Sequence, residues 1–373
     1  MKIKLNSKEL LERLQHLSGV VLSNSTLPIL DNFLFEVDGQ KLTITASDLD
    51  NTMITSMNAE IDGAQSIAIP SKMLLEILKA LPSQPIELVV QENGIVELVS
   101  ASGNYSIAYY DGAQFPKAQE IENPTTIKIK VGALESAISN TLFACGSDEL
   151  RPVMGGVLFQ LKDNSITFVS TDAHRLAKYV RRNIEITQDV DFVVPKKPLG
   201  IIKGLIPNLG ADNIVEVVYN ENNASFIMGS YELKTRLIDG KFPNYEGVIP
   251  KDNPNSFTVD TKEFIASLKR VSIFSDKTTH QLAIKQVGNT INLMAEDKSF
   301  NTNGNETINC EHDGGDISIG FNARFLAEAL GNIDTARVVV ETSAPNRAGI
   351  VKPETCDDDE EFLMLVMPVM LNK

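Results

Sequence analysis

Residues Arg151–His174 read RPVMGGVLFQLKDNSITFVSTDAH, and the chain carries altered forms of this stretch twice more. Leu27–Asp50, LPILDNFLFEVDGQKLTITASDLD, lies 124 positions upstream and aligns without a gap. Pro28 falls on Pro152, Leu34-Phe35 on Leu158-Phe159, Thr43 on Thr167 and Asp48 on Asp172. Ala283–Asp297, AIKQVGNTINLMAED, lies 125 positions downstream and repeats the tail, with Ile291 on Ile166 and Asp297 on Asp172. Three copies at near-constant spacing make an internal repeat. A unit of that length is a domain in its own right, too long for a solenoid repeat.

A chain of 373 residues with 43% apolar and 22% charged residues can bury a core in each of three domains. No apolar run approaches a membrane span, and MKIKLNSKEL lacks the apolar region of a signal peptide. Cys145, Cys310 and Cys356 are odd in number and far apart. They suggest no disulfide framework, so a reducing cytoplasm is expected. The net charge of −15, taken alone, argues against tight nucleic-acid binding.

Each repeat opens alike. Ile3 and Leu5 alternate as a strand, Ser7 reads as an N-cap, and Leu10, Leu14 and Leu17 recur at helical spacing. The second repeat opens with Ile127–Val131 before Leu134, Ala137 and Ile138. The third opens with Phe257–Asp260, with Thr261 as cap before Phe264, Leu268 and Val271. Strands then follow across the turns Asp38-Gly39, Asp163-Asn164 and Gly288-Asn289. Each repeat also has a second half resembling its first: a short strand, a helix and a hairpin, with Asn93-Gly94 the strongest turn signal. In the third repeat Asn322 reads as the cap of that second helix. The expected architecture is α+β: six strand–helix–strands units paired into domains at 1–122, 127–250 and 256–373. Polar, proline-bearing linkers separate them at 120–126 and 250–256, and the acidic run Asp357–Glu361 reads as a solvated loop.

Charge is distributed unevenly. The helical segments 7–18, 71–81, 133–144, 196–206, 261–274 and 322–331 together carry +5, which leaves −20 for the rest. Basic charge gathered on one class of element suits a molecule facing a polyanion with one surface. Six helices of about 10 Å width close to a ring too narrow for a duplex, whereas twelve leave about 28 Å clear. A head-to-tail dimer would therefore enclose DNA, about 20 Å wide.

The whole chain resembles the bacterial DNA polymerase III β subunit family, the sliding clamps. The resemblance is carried by TLPIL (26–30), STDAHRLA (170–177), DGKFPNY (239–245), IGFNARFL (319–326) and VMPVML (366–371). It implies three tandem clamp domains, each with two helices toward the hole of a ring and sheets on the rim, closed as a homodimer. It implies a non-catalytic processivity factor for DNA replication that encircles duplex DNA without sequence specificity and needs no cofactor or metal. The implied partners are the polymerase III catalytic subunit, the clamp loader, and other polymerases and repair proteins carrying clamp-binding peptides; no membrane is involved. By motif, the peptide pocket would be lined by Met154, Thr171, His174, Arg175, Leu176, Pro243, Val248, Leu365, Met367, Pro368 and Met370. Methionine and leucine walls suit apolar peptide side chains of varied shape. The dimer contact would pair Ile273 and Phe274 with Tyr105 and Ile107. The DNA-facing set would be Arg13, Lys72, Lys79, Lys196, Lys197, Lys203, Lys269 and Arg270, mainly lysines suited to phosphate. The chain departs from the family pattern at Gly247, where arginine is common, at Phe325, where tyrosine is, and by ending in Asn372-Lys373.

Two other readings are open to these residues. A stationary, non-topological DNA-binding scaffold would need recognition helices rich in Arg, Asn and Gln. A hydrolase could use Asp172 and His174, with Ser170 or Thr171 as nucleophile. However, Asp48 and Asp297 hold the same repeat position without a neighbouring histidine, which favours a turn role. No nucleophile-elbow, phosphate-loop or dinucleotide motif is present.

Overall fold

The computed structural model describes residues 1–21 and 27–371; Thr26, Asn372 and Lys373 lie outside the described residues. Six α-helices stand in the described chain: α1 (Ser7–Leu17), α2 (Ser71–Ala80), α3 (Val131–Thr141), α4 (Lys196–Leu205), α5 (Thr261–Ser272) and α6 (Ala323–Leu330). One strand leads into each helix. The strand before α1, Lys2–Asn6, pairs with Pro85–Val90 of the other half of its repeat, while the strand before α2, Ile67–Pro70, returns to Asn32–Asp38. The two halves of a domain thus exchange their first strands.

Periodicity explains the helices. Leu10, Leu14 and Leu17 are buried along one face of α1, as are Phe264, Leu268 and Val271 on α5. Two caps differ from expectation. Asn6 caps α1 by accepting from the Lys8 and Glu9 amides, and Asp260 caps α5 by accepting from Glu263. The expected caps, Ser7 and Thr261, already stand inside the first turn with buried side chains. The exposed strand-end residue before each has the extended backbone a cap needs. Asn322 caps α6, accepting from the Arg324 and Phe325 amides.

The repeat holds at the level of register. Leu34 faces Thr45, Leu158 faces Val169 and Ala283 faces Met294. The turns obey the sequence: Gly39, Gly94 and Gly288 have positive φ, as do both Asp163 and Asn164.

Two compact units emerge, and neither coincides with a repeat. One comprises Met1–Glu135 with Lys197–Leu237, the other Ser136–Lys196 with Ile238–Lys373. Each contains a nine-stranded and a five-stranded antiparallel sheet. The nine-stranded sheet of the first unit joins neighbouring repeats where Asn51–Asn58 pairs with Tyr231–Arg236, Met53 opposite Leu233. That of the second joins them where Arg175–Arg182 pairs with Glu360–Val366, Ala177 opposite Met364.

This second seam corrects the reading of Asp357–Glu361 as a solvated loop. Glu360 and Glu361 belong to the strand. Lys178 Nζ lies 2.8 Å from Glu361, Arg181 lies 2.8 Å from Asp359, and Arg182 also reaches Glu361 at 2.8 Å. Asp359, Glu360 and Glu361 are thus half of a cross-strand charge ladder, while Asp357 and Asp358 remain an exposed loop as read.

Candidate partner-binding site

The expected pocket residues all fall in the second unit, and most gather where its two sheets approach. Leu176 and Leu365 face each other across the seam and are both buried. They belong to one apolar cluster with Leu158, Val169, Val193, Phe242, Tyr245 and Ala348. The pattern is local: alternation along Arg175–Arg182 turns Leu176 to the face opposite Arg175. Tyr245, buried at its ring, donates its hydroxyl to Gln160 at 2.6 Å, and burial pushes its pKa up to about 12.

Around that floor the apolar side chains stand open. Val248 is 57% exposed, Met367 43% and Met370 68%, while Met154, Pro243 and Pro368 are half-buried. Exposed apolar side chains beside a buried apolar floor are what docking of a partner requires. The chain after the seam is held by backbone: the Met367 amide donates to the His174 carbonyl at 2.8 Å, and Pro368 pairs with Phe321. A side chain at Gly320 would strike the Val369 carbonyl at 2.4 Å, so glycine lets this final strand close in. Gly247 is exposed.

One wall is polar and rigid. Arg175, 9% exposed, bonds Asp172, Glu328 on α6 and the Phe143 carbonyl. Its guanidinium lies 4.6 Å from the Phe325 ring centre, and His174 stacks on the same ring at 6.1 Å. Phe325 serves here through its face, which tyrosine would share. Glu328, Phe143 and Tyr245 escaped the sequence reading. DGKFPNY contains the tyrosine and gave a signal; nothing local announces an ion pair between residues 153 positions apart.

The catalytic alternative fails at each group. Asp172 Oδ1 accepts from the backbone of His174 and Arg175, while Oδ2 holds the Arg175 side chain. Asp48 accepts from the Asn51 amide, and Asp297 from those of Ser299 and Phe300. All three repeated aspartates close a turn. Ser170 donates to the Thr141 carbonyl and Thr171 to that of Arg175, so neither hydroxyl is available as a nucleophile.

The basic helix residues divide. Lys72, Lys79, Lys196, Lys203 and Lys269 are exposed and make no ion pair among the described residues. Arg13, expected to face DNA, is instead turned into the sheet, bonding Thr55, the Ser56 carbonyl and Ser230 at 3.0 Å each. Lys197 bonds Asp48 at 2.6 Å and Arg270 forks onto Glu306 at 2.6 and 2.7 Å. Of the expected dimer contacts, Ile273 is 67% exposed, Phe274 37% and Tyr105 half-buried. Ile107 is a correction: at 1% exposure its side chain is core, because strand alternation points it inward beside Val96.

Models of the DNA polymerase III beta subunit match the chain in order: the N-terminal domain at residues 1–119, the central domain at 128–244 and the C-terminal domain at 246–370. The beta sliding clamp of Synechococcus elongatus is 27% identical over 377 residues, and that of Pseudomonas putida 27% over 374, both covering all of either chain. Among solved structures, the Pseudomonas aeruginosa sliding clamp bound to griselimycin superposes with a TM-score of 0.93 at 26% identity. The Thermotoga maritima beta subunit gives 0.92 at 25%; both comparisons cover all of each chain.

Proposed function

The chain belongs to the DNA polymerase III beta subunit family, and from that membership we propose that it works as a DNA sliding clamp. It is a non-catalytic processivity factor: two copies close a ring around duplex DNA, and the replicative polymerase is tethered to that ring. The α+β clamp domains fill residues 1–122, 127–250 and 256–373. Clamp loader and repair proteins use the same pocket, and the setting is the cytoplasm. None of the described helices is long and apolar enough to cross a membrane.

The observation that carries the tethering is the open apolar rim of Met154, Val248, Met367 and Met370 over a floor of Leu176 and Leu365. An extended peptide places alternate apolar side chains into such a trough, and thioethers repack around different partners. Lys72, Lys79, Lys196, Lys203 and Lys269 supply contacts to DNA phosphates that salt screens, so the ring slides. Topology holds the DNA, and tethering raises the polymerase's local concentration at the primer end.

Two measurements test this. Leu365→Ala with Met367→Ala should abolish binding of a fluorescent clamp-binding peptide from the polymerase III catalytic subunit while leaving dimerisation intact. Unchanged peptide affinity would place the pocket elsewhere. With loader and ATP, protein should persist on nicked circular DNA and run off the same DNA once linearised; equal retention on both would favour the non-topological scaffold.

A further inference from the structure

The apolar rim described above lies at the second of two seams built alike, and the first seam carries its counterpart. The linkers correspond, Phe115-Pro116 to Phe242-Pro243, with Ile121 and Val248 each five residues beyond the proline. The repeat that sets Leu34 on Leu158 also sets Leu30 on Met154 and Thr52 on Leu176. Both seams share one register, Met53 opposite Leu233 and Ala177 opposite Met364, so Lys234 corresponds to Leu365 and Glu232 to Leu363. The facing pair Leu176–Leu365 of the second seam is therefore Thr52–Lys234 in the first.

An apolar floor has thus become a polar one, but the depression is not filled. A cleft of about 190 Å³ opens over the sheet, lined by Glu120, Ile121, Ser225, Ile227, Glu232 and Lys234 among others. Its lining lies wholly within the first unit. Lys234 pairs with Ser225 and Glu232 with Ile227, which sets these four side chains on one face of the sheet. Ser225, 2% exposed, donates to Glu232 Oε1 at 2.8 Å, and Lys234 Nζ stands 3.6 Å from the same oxygen. Lys234 therefore offsets Glu232. Glu120, on the linker, is exposed and makes no ion pair among the described residues. Two carboxylates against one ammonium leave the cleft with one negative charge in excess. Ile121 and Ile227 are half-buried and give it apolar walls.

The cleft is smaller than the roughly 300–1,000 Å³ of pockets that enclose whole small molecules, and suits a single long side chain. We propose that it is a second docking site, taking an extended peptide segment whose basic side chain runs toward Glu120 between apolar neighbours resting on Ile121 and Ile227. The aliphatic stem of an arginine or lysine packs along the isoleucines while its charge meets the excess carboxylate. An acidic segment is repelled. A purely apolar one is turned away as well, because it would strip water from Glu232 and Lys234 and replace it with nothing. The two seams of one copy thereby take partners of different chemistry.

The test uses full-length protein labelled at the isoleucine δ-methyls and read by NMR. Titration with acetyl-Val-Arg-Val-amide should shift Ile121 and Ile227 and leave Ile238 and Ile249, which pack against the Leu176–Leu365 floor, unmoved. Acetyl-Val-Glu-Val-amide should shift none of the four. Glu120→Gln, a change at an exposed linker side chain, should weaken the arginine peptide about fivefold and leave the affinity of the polymerase III peptide unchanged. An equal response to both tripeptides would overturn the charge assignment. Silence at Ile121 and Ile227, or displacement of the arginine peptide by the polymerase III peptide, would overturn the site itself. Either failure would leave the reading of the second-seam pocket standing, since that pocket is tested with a different peptide and different variants.

Discussion

At the scale of single residues, charge here is mostly committed to the fold. Hydrogen bonds from Arg270 and Ser267 hold the Glu306 carboxyl down at about 2. Because the folded value is depressed, the contribution exists above the ordinary carboxylate range, near 4, and fades as pH falls toward 2. The pair is solvent-exposed, so its worth is small. Carboxyl chemical shifts should show the low midpoint, and Arg270→Ala should return it to the ordinary range; an unmoved midpoint would contradict the pairing. The thiols divide as plainly. Burial pushes Cys145 up to about 12, whereas Cys356 is exposed. Native protein at pH 8 should titrate one thiol rapidly with an aromatic disulfide reagent, lost in Cys356→Ser, and denatured protein three.

At the scale of elements, what the residues announced was whatever depends on near neighbours. The hairpin registers, the apolar stripes of α1 and α5, and the turn role of Asp48, Asp172 and Asp297 were all legible. Partners distant in sequence were not: Arg175 with Glu328, or Arg181 with Asp359, have nothing local to mark them. The run Asp357–Glu361 looked like a solvated loop because its cations lie in another repeat. Burial alone would raise the Glu361 pKa, yet Lys178 and Arg182 outweigh it and hold it below the usual range. The ladder therefore stabilises the seam above the ordinary carboxylate range and loses that contribution as acid protonates Glu361. Lys178→Ala, which removes the cation 2.8 Å from Glu361, should cost about 1 kcal/mol or less in urea melts at pH 7. The deficit should shrink as the pH is taken down to 3, and amide exchange should quicken along 175–182. An equal deficit at both pH values would assign Lys178 a packing role alone.

At the scale of the whole molecule, a net charge of −15 is compatible with the proposed DNA contacts because five exposed helix lysines make no ion pair among the described residues. If the five lysines of one copy meet phosphates together, affinity for linear DNA should drop roughly several hundredfold between 50 and 200 mM salt. Protein already loaded on a circle should stay through the same change. Salt release from circles at the rate seen with linear DNA would show that charge, not topology, holds the duplex. Motifs such as DGKFPNY and VMPVML pointed to the apolar residues of the proposed pocket; the Arg175–Glu328 pairing beside them was not legible, being assembled from separate stretches of chain.

The shared nine-stranded sheets bear on how such a chain can be divided. Copying one repeat into three suggests natural cutting points near residues 122 and 250, but physical continuity runs elsewhere. A fragment ending at 122 would carry Asn51–Asn58 stripped of Tyr231–Arg236, and with Met53 uncovered. Such a bare, apolar edge recruits other chains. The ancestral module, in other words, became an unsuitable unit of expression once its copies learned to finish one another's sheets.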